Sequence, residues 1–358
     1  MTNDNIPSDS RELTFTPPIM TQVALFPVSK PAASYIERHN GNISVVLSPT
    51  KPDEWIYGKT ARLLFLYIQS KIANPDDPDV DRQNRTVTFR GSYRKFCEEC
   101  GIAYGGKGVG SIEHTLSSLV GMTVRVTRKD DDGGSMSKAV TIAEAGRTRI
   151  CPEKHVIAVI QFSSEFWREL VRRSVPLNPR IVKNLGNSAR ALDIYSWLSV
   201  RFHGIFMKMR TEGDARKFAS FSLRWTHLFD QFEGTDMPMK EFKRQFRESF
   251  AKVKDVWGGL SMTEREDGCV SFSATCESLP STADGDVGEM DAPSHVHSAD
   301  CSHVRAVGES VFGDVLFESG GAAVFDGLCG RLAGLWNEAG DDADAAALAE
   351  EVLAGFEG

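Results

Sequence analysis

The stretch KEFKRQFRESFAKVKDVW, Lys240 to Trp257, decides how this chain is read. Its apolar residues Phe242, Phe246, Phe250, Val253 and Trp257 are spaced 4, 4, 3 and 4. That is the step of one face of an α-helix. At about 100° per residue, Lys240, Lys243, Arg244, Arg247 and Lys254 fall roughly 60° to 160° from Phe246, as one basic stripe beside the apolar face. Glu241, Glu248 and Lys252 take the remaining side. Upstream, SLRWTHLFDQF offers Leu223, Leu228, Phe229 and Phe232 as a short apolar helical face, and EGTDMP (Glu233 to Pro238) tethers it to the basic helix. Downstream, Asp267-Gly268 separates two alternating runs, a strong hairpin signal, and Arg265 sits beside that turn. Helix, turn, helix, hairpin over Ser222–Thr275 is the order of a winged helix, which lays its second helix in the DNA major groove. An ordinary solvated helix carries such a charge stripe too; the hairpin directly after it favours the DNA-binding reading.

Composition sets the bounds. With 358 residues, 41% of them hydrophobic, the chain has room for two or three cored domains. No run of eighteen apolar residues spans a membrane, and MTNDNIPSDSREL lacks the charged-then-apolar pattern of a signal peptide. Seven cysteines, an odd number, suit reduced thiols in the cytoplasm. The net charge of −8 is unevenly spread: from Leu279 to Gly358 there are 16 acidic and two basic residues, a net of −14, which leaves the body at +6. An acidic tail and a mildly basic body are separate physical objects.

Taken in order, residues 1 to about 20 are polar and read as an unstructured arm. Asn40-Gly41 between alternating segments marks a β-hairpin from Tyr35 to Ser48. Gly58 opens an apolar helix, RTVTF is a short strand, and Ser92 caps the next helix. SIEHTLSSLV is a further helix with Ile112, Leu116 and Leu119 inward and Lys107, His114 and Ser118 opposite. MTVRVTRK and SKAVTIAEA form a second hairpin carrying Arg125, Arg128 and Lys129. Residues 58–145 thus read as a first winged helix, less basic than the second. Residues 146–161 read as extended connectors. Beyond them lie a short capped helix, a proline-bounded linker, and a helix NSARALDIYSWLSVRF. A repeat supports the division: GKTARLLFLY from Gly58 matches GNSARALDIY from Gly186 at an offset of 128, with Gly, Ala, Arg, Leu and Tyr coinciding. Residues 279–303 are a polar linker, and the tail beyond holds two weak helical segments.

Several motifs suggest chemistry and fall short of it. Gly58-Lys59-Thr60 echoes a phosphate loop, but its earlier glycine is replaced by Asp53. GGKGVGS, Gly105–Ser111, offers backbone N–H groups to a phosphate, of DNA more readily than of a nucleotide. Cys97-x-x-Cys100 has no second pair and makes no zinc site. His295 to His303 gathers three histidines and Cys301 in a solvated linker. His295-Val296-His297 has the form found in nicking enzymes, but the last tyrosine is Tyr195. No catalytic residue, metal site or cofactor is assigned.

The segments LFPVSKP with ERHNGNISVVL, YGKTARLLFLYIQSKI, FCEECGIAYGGKGVGSIEHTLSSLVGMTVRV, FSSEFWRELVRRSVPLNPRIVKNLGNSARALDIYSWLSVR and FSLRWTHLFDQF…KEFKRQFRESFAKVKDVW, in that order, resemble plasmid replication initiators of the RepA type. The resemblance runs from about Ala24 to Ser273. It implies a tandem winged-helix protein that binds repeated sites in its own plasmid's origin, helps open the duplex, recruits host initiator and helicase, and occurs as monomer and homodimer. It places DNA contacts on Lys240, Lys243, Arg244 and Arg247, and in the first module on Lys107, Ser111 and His114. The glycine-rich first segment is poor in arginine, and the acidic tail lies outside the resemblance.

The resulting expectation is an α+β chain of tandem winged-helix domains with an N-terminal β-hairpin and an acidic, weakly structured C-terminal tail. Its divisions are a flexible arm (1–30), a first domain (31–150), a second with the basic recognition helix (151–278), and linker plus tail (279–358). The function expected is a cytoplasmic, non-enzymatic initiator on double-stranded origin DNA. The alternative is a winged-helix transcriptional regulator with no replication role. Arg244 and Arg247 are expected to read bases, and Lys240, Lys243 and Lys254 to bind phosphate. Arg125, Arg128, Lys129 and Arg265 reach backbone from the hairpins.

Overall fold

Alternation and one turn glycine fold the N-terminal hairpin. β2 (Ile36–Asn40) and β3 (Ile43–Ser48) pair antiparallel from Ile36↔Leu47 to Asn40↔Ile43. Gly41 between them sits at φ +62°, a conformation that costs a residue with a Cβ. The computed structural model describes residues 14–16, 23–129, 134–151, 156–171, 175–211, 218–234, 237–265 and 268–275. The chain clusters into two units, 1–284 and 285–358. The acidic tail, its two expected helices and the His295–His303 cluster lie outside the described residues.

The hairpin grows into a larger sheet. β3 pairs with β6 (Thr123–Lys129), and β6 with β7 (Ser135–Thr141), giving the order β2-β3-β6-β7. The second expected hairpin therefore forms, but as a continuation of the N-terminal sheet. A separate sheet has the order β4-β5-β9-β8, from β4 (Val80–Asp81), β5 (Thr86–Arg90), β8 (Ala143–Cys151) and β9 (Val156–Phe162). Residues 146–161, expected as connectors, are thus mostly paired strand, and the boundary expected at 150/151 cuts a hairpin. VIAVIQF misleads because its apolar residues run together rather than alternate, so period two is hidden.

Helices α1 (Gly58–Ala73) and α2 (Tyr93–Glu99) follow the sequence reading, whereas α3 (Gly106–Ser118) begins five residues ahead of the expected SIEHTLSSLV, inside the glycine-rich segment. The Ser92 hydroxyl caps α2 by accepting from Lys95 N at 3.2 Å. α4 (Ser164–Val171) comes next, then β10 (Val175–Leu177), which pairs with β1 (Thr14–Thr16). Part of the arm expected to be unstructured is therefore strand. α5 (Pro179–Leu185) is a helix where the sequence suggests a proline-bounded linker. Asn178 caps it, accepting from Arg180 N at 2.9 Å with Pro179 in the first turn.

α6 (Ala189–Thr211) opens the last third. β11 (Phe218–Arg224), α7 (Trp225–Phe232), α8 (Met239–Val256), β12 (Ser261–Glu264) and β13 (Cys269–Thr275) follow, with the strands ordered β11-β13-β12. Leu223, expected on the apolar face of α7, belongs instead to β11, opposite Val270. Gly268 turns the β12–β13 hairpin at φ +78°, donating to Arg265 O at 3.1 Å.

With β4, β6 and β7 set aside, one order of elements occurs twice. Helix, strand, short helix, longer helix and hairpin are α1-β5-α2-α3-β8-β9 and then α6-β11-α7-α8-β12-β13, and each hairpin's last strand lies between its partner and the strand before the short helix. Aromatic residues fill the second repeat: Trp197 meets Phe221, Phe232 and Phe272 edge-on at 5.7, 5.4 and 5.6 Å. All five apolar residues of the basic helix are buried. Each such phenylalanine contributes about 1.5–3 kcal/mol by leaving water.

The two repeats touch through polar contacts as well as packing. Arg62 of α1, 2% exposed, holds both carboxylate oxygens of Asp193 of α6 at 2.6 Å and donates to the carbonyls of Phe26, Pro27 and Gly58. Ala24 N donates to Gln231 O at 2.8 Å, and Gln231 Nε2 to Asn40 Oδ1 at 3.1 Å. Gly234, after α7, packs so closely on β2 that a Cβ there would stand 2.7 Å from Glu37 O.

Candidate nucleic-acid interface

The burial of Phe242, Phe246, Phe250 and Val253 fixes the roll of α8, so the opposite side must meet solvent. Lys240, Arg244, Arg247 and Lys254 are exposed and Lys243 is half-buried. The stripe expected from helical spacing is therefore a surface. Pro238 precedes the helix with extended backbone, Glu241 occupies the first turn and Lys254 the last, which suits the helix dipole.

The arginines of that surface are held by carboxylates. Arg247 Nε donates to Glu264 Oε1 at 2.6 Å and Nη2 to Oε2 at 2.8 Å, a two-toothed pair from α8 to β12. Beneath it, Trp225 is 4% exposed; its ring lies 5.3 Å from the Arg247 guanidinium and 5.3 Å from Lys243 Nζ. The indole Nε1 donates to Glu264 Oε2 at 3.2 Å. Hydrogen bonding from Arg247 is the main cause that holds the Glu264 carboxyl below its ordinary range, and the same pair raises Arg247. Arg244 is enclosed by its own helix: Glu241 takes Nε and Nη2 at 2.9 and 2.5 Å, and Glu248 takes Nη1 at 2.5 Å. Bonds from Arg244 and then Gln245 pull the Glu241 carboxyl down to about 2.

Arg265 is exposed and stands one residue beyond Glu264, where its N–H bonds Cys269 O at 2.9 Å to close the hairpin. Lys243 and Arg247 thus gather around Trp225 and Glu264, Arg265 follows Glu264 in the chain, and Lys240 and Lys254 lie at the two ends of α8.

The first repeat brings fewer of its expected residues together. Lys107 is exposed on the first turn of α3. Ser111 instead donates to Thr60 Oγ1 at 2.9 Å, and His114 Nε2 meets Trp55 O at 3.1 Å, so both side chains are engaged within the protein. Ser118, placed outward by the helical wheel, is 3% exposed. On β6, Arg125 and Lys129 share the solvent face, while Arg128 alternates to the side of buried Val124 and half-buried Val126. Their strand belongs to the β2-β3-β6-β7 sheet; the hairpin paired with β5 is β8–β9 and carries the exposed Arg147.

Cys97 and Cys100 are both buried, and burial pushes the Cys100 thiol well up. Among the described residues no group of three His, Cys, Asp or Glu could hold a metal ion, and no helix is long and apolar enough to cross a membrane.

Comparison with known proteins gives three results. Residues 56–219 match the family described as plasmid encoded RepA protein, so the likeness to RepA-type plasmid initiators holds over that stretch. The basic helix, from Met239, lies beyond it. A crystal structure of domains 2 and 3 of RctB is similar at 11% identity and a TM-score of 0.45, covering 73% of this chain and 98% of that one. A second RctB structure of the same domains is similar at 12% identity and a TM-score of 0.41, covering 72% and 97%. No curated protein matches this chain.

Proposed function

We propose that this protein is a plasmid replication initiator that binds double-stranded origin DNA through two winged-helix repeats. The observation that carries the reading is the α8 surface: five cations on one side of a helix rolled into place by buried phenylalanines, directly followed by a hairpin bearing Arg265. The order α6-β11-α7-α8-β12-β13 supports a winged helix with α8 in the major groove. The family match over 56–219 supports the replication role.

The physics divides by residue. Lys240, Lys243 and Lys254 neutralise phosphates and release counterions, which gives affinity that falls with salt. Arg247 reads a base, because a guanidinium matches the O6 and N7 acceptors of guanine. Arg244 first gives up Glu241 and Glu248 and then meets phosphate. Arg265, with Arg125 and Lys129 on the other sheet, contacts backbone. In the first repeat Lys107 faces phosphate, and Ser111 and His114 support α3 from within. No catalytic step or cofactor is part of the proposal; origin opening and the recruitment of host initiator and helicase follow binding, with monomer and homodimer in separate roles.

Selection of duplexes from a random pool at near-physiological salt tests this. Repeated copies of the enriched motif in the replicon that encodes the chain are expected. A single promoter-like copy, with replication intact after deletion, would establish a transcriptional regulator instead. No enriched motif would remove α8 as a reading helix.

A further inference from the structure

We infer that Glu264 is a positioning residue for base recognition: from the hairpin it holds the Arg247 guanidinium by one edge and so presents the other edge to a guanine. This rests on the proposed role of α8 and adds to it the base that one position of the site must contain.

A guanidinium has two edges that can grip a planar acceptor pair, Nε with Nη2 and Nη1 with Nη2. Glu264 occupies the first completely, at 2.6 and 2.8 Å. Nη1 makes no hydrogen bond among the described residues, and the Arg247 side chain is 46% exposed, so the second edge faces water. Trp225 supports the plane of the group from below at 5.3 Å and ties the same carboxylate at 3.2 Å. Helix, ring and carboxylate together fix a side chain that is otherwise rich in rotamers. Less freedom is then lost when a base is bound.

The contrast with Arg244 makes the assignment specific. Both edges of Arg244 are taken by Glu241 and Glu248, neighbours on its own helix that move with it. Arg247 is instead held from β12, so its direction is set by the tertiary fold. Glu264 has a second effect. Because the pair is close to neutral, Arg247 adds little to phosphate attraction, and what remains is the geometry of two N–H groups. A duplex without guanine at that position leaves the carboxylate near base edges with nothing to repay its approach.

The test uses the full chain as wild type, Glu264→Gln, Glu264→Asp and Arg247→Ala. Each is put through selection from the random pool, then titrated against the wild-type site and an unrelated duplex, with circular dichroism melts to show that it folds. Glu264→Gln should lower affinity for the selected site about tenfold and bring one guanine position close to parity, the same position that Arg247→Ala loses. Affinity for the unrelated duplex should not fall, since a negative charge has been removed. Glu264→Asp should recover part of the guanine preference. A Glu264→Gln profile identical to wild type overturns the inference while leaving α8 as the reading helix. So does an equal gain on all duplexes, which would make Glu264 a charge shield, or a loss at a cytosine position that Arg247→Ala keeps, which would make it a base reader itself. A wild-type protein that enriches no motif overturns both the inference and the function beneath it.

Discussion

Lys59 Nζ donates to Asn187 Oδ1 at 2.9 Å, and the two residues stand 128 positions apart, the offset at which GKTARLLFLY matches GNSARALDIY. At this pair, corresponding positions of the two repeats touch. Three of the matched pairs are buried in both helices. Ala61 and Ala189, Leu64 and Leu192, and Arg62 and Arg190 are all at most 9% exposed. Both arginines turn inward to a carboxylate, Arg62 to Asp193 and Arg190 to Glu233. The short sequence match is thus a packing rule used twice.

The Arg62–Asp193 pair joins the repeats where water is scarce, at 3% and 11% side-chain exposure. Removing one member strands the other charge. Asp193→Ala should destabilise the protein by about 3–5 kcal/mol, whereas Arg62→Met with Asp193→Leu should recover much of that loss. Urea unfolding of the single and double variants measures both, and a double variant as unstable as the single one would show that the carbonyl bonds of Arg62 matter more than its charge.

Gly234 is constrained twice, by φ +80° and by Glu37 O at 2.7 Å from any added Cβ. Gly234→Ala should therefore cost about 1–3 kcal/mol by strain, more if β2 must move. A thermal melt that matches wild type would mean that the contact between β2 and α7 yields freely.

Two substitutions on α8 should separate by salt dependence. Lys240→Ala should weaken binding to all duplexes and lower the slope of log affinity against log salt by about 1. Arg247→Ala should cost about 1–3 kcal/mol on the selected site and change the slope less, because Glu264 already balances its charge. Equal slope changes in the two variants would contradict a neutral pair at the interface.

Acid should weaken the same pair. The folded-state carboxyl of Glu264 lies below the usual 4.5, so the unfolded chain takes up the proton first as pH falls. The stabilisation is complete above about pH 4.5 and is lost as pH drops through the lower folded value. With Glu264 37% exposed, solvent screening keeps it below about 1 kcal/mol. Urea midpoints of wild type and Glu264→Gln should differ at neutral pH and converge once the pH has fallen below the lowered folded value. A constant gap would show that the charge of Glu264 plays no part.

The basic helix was legible because its period is its own: five buried residues at steps of three and four define a face without outside help. Asn40-Gly41 was legible for a similar reason, since the turn needs only local residues. The β8–β9 hairpin was not, because VIAVIQF is apolar without alternation. Leu223 and Phe221 belong to β11 because strand partners at Val270 and Phe272, nearly fifty residues later, claim them. The two carboxylates that hold Arg244 stand three and four residues from it, yet the helical wheel sets them on the remaining side and hides the pairing; Glu264 is hidden more deeply. It lies seventeen residues from Arg247 and meets it only once β12 folds back beside α8.

The contacts of Arg62 and Lys59 between the repeats have a metric consequence for the DNA binding proposed above. A reader with two heads on a tether tolerates any spacing between its half-sites. One whose heads are bolted together measures length as well as letters. Duplex DNA turns once in about 10 to 10.5 base pairs. Inserting about half a turn between the two contacted segments would carry one of them to the far side of the double helix. Every letter of the site would survive, and the ruler would still reject it.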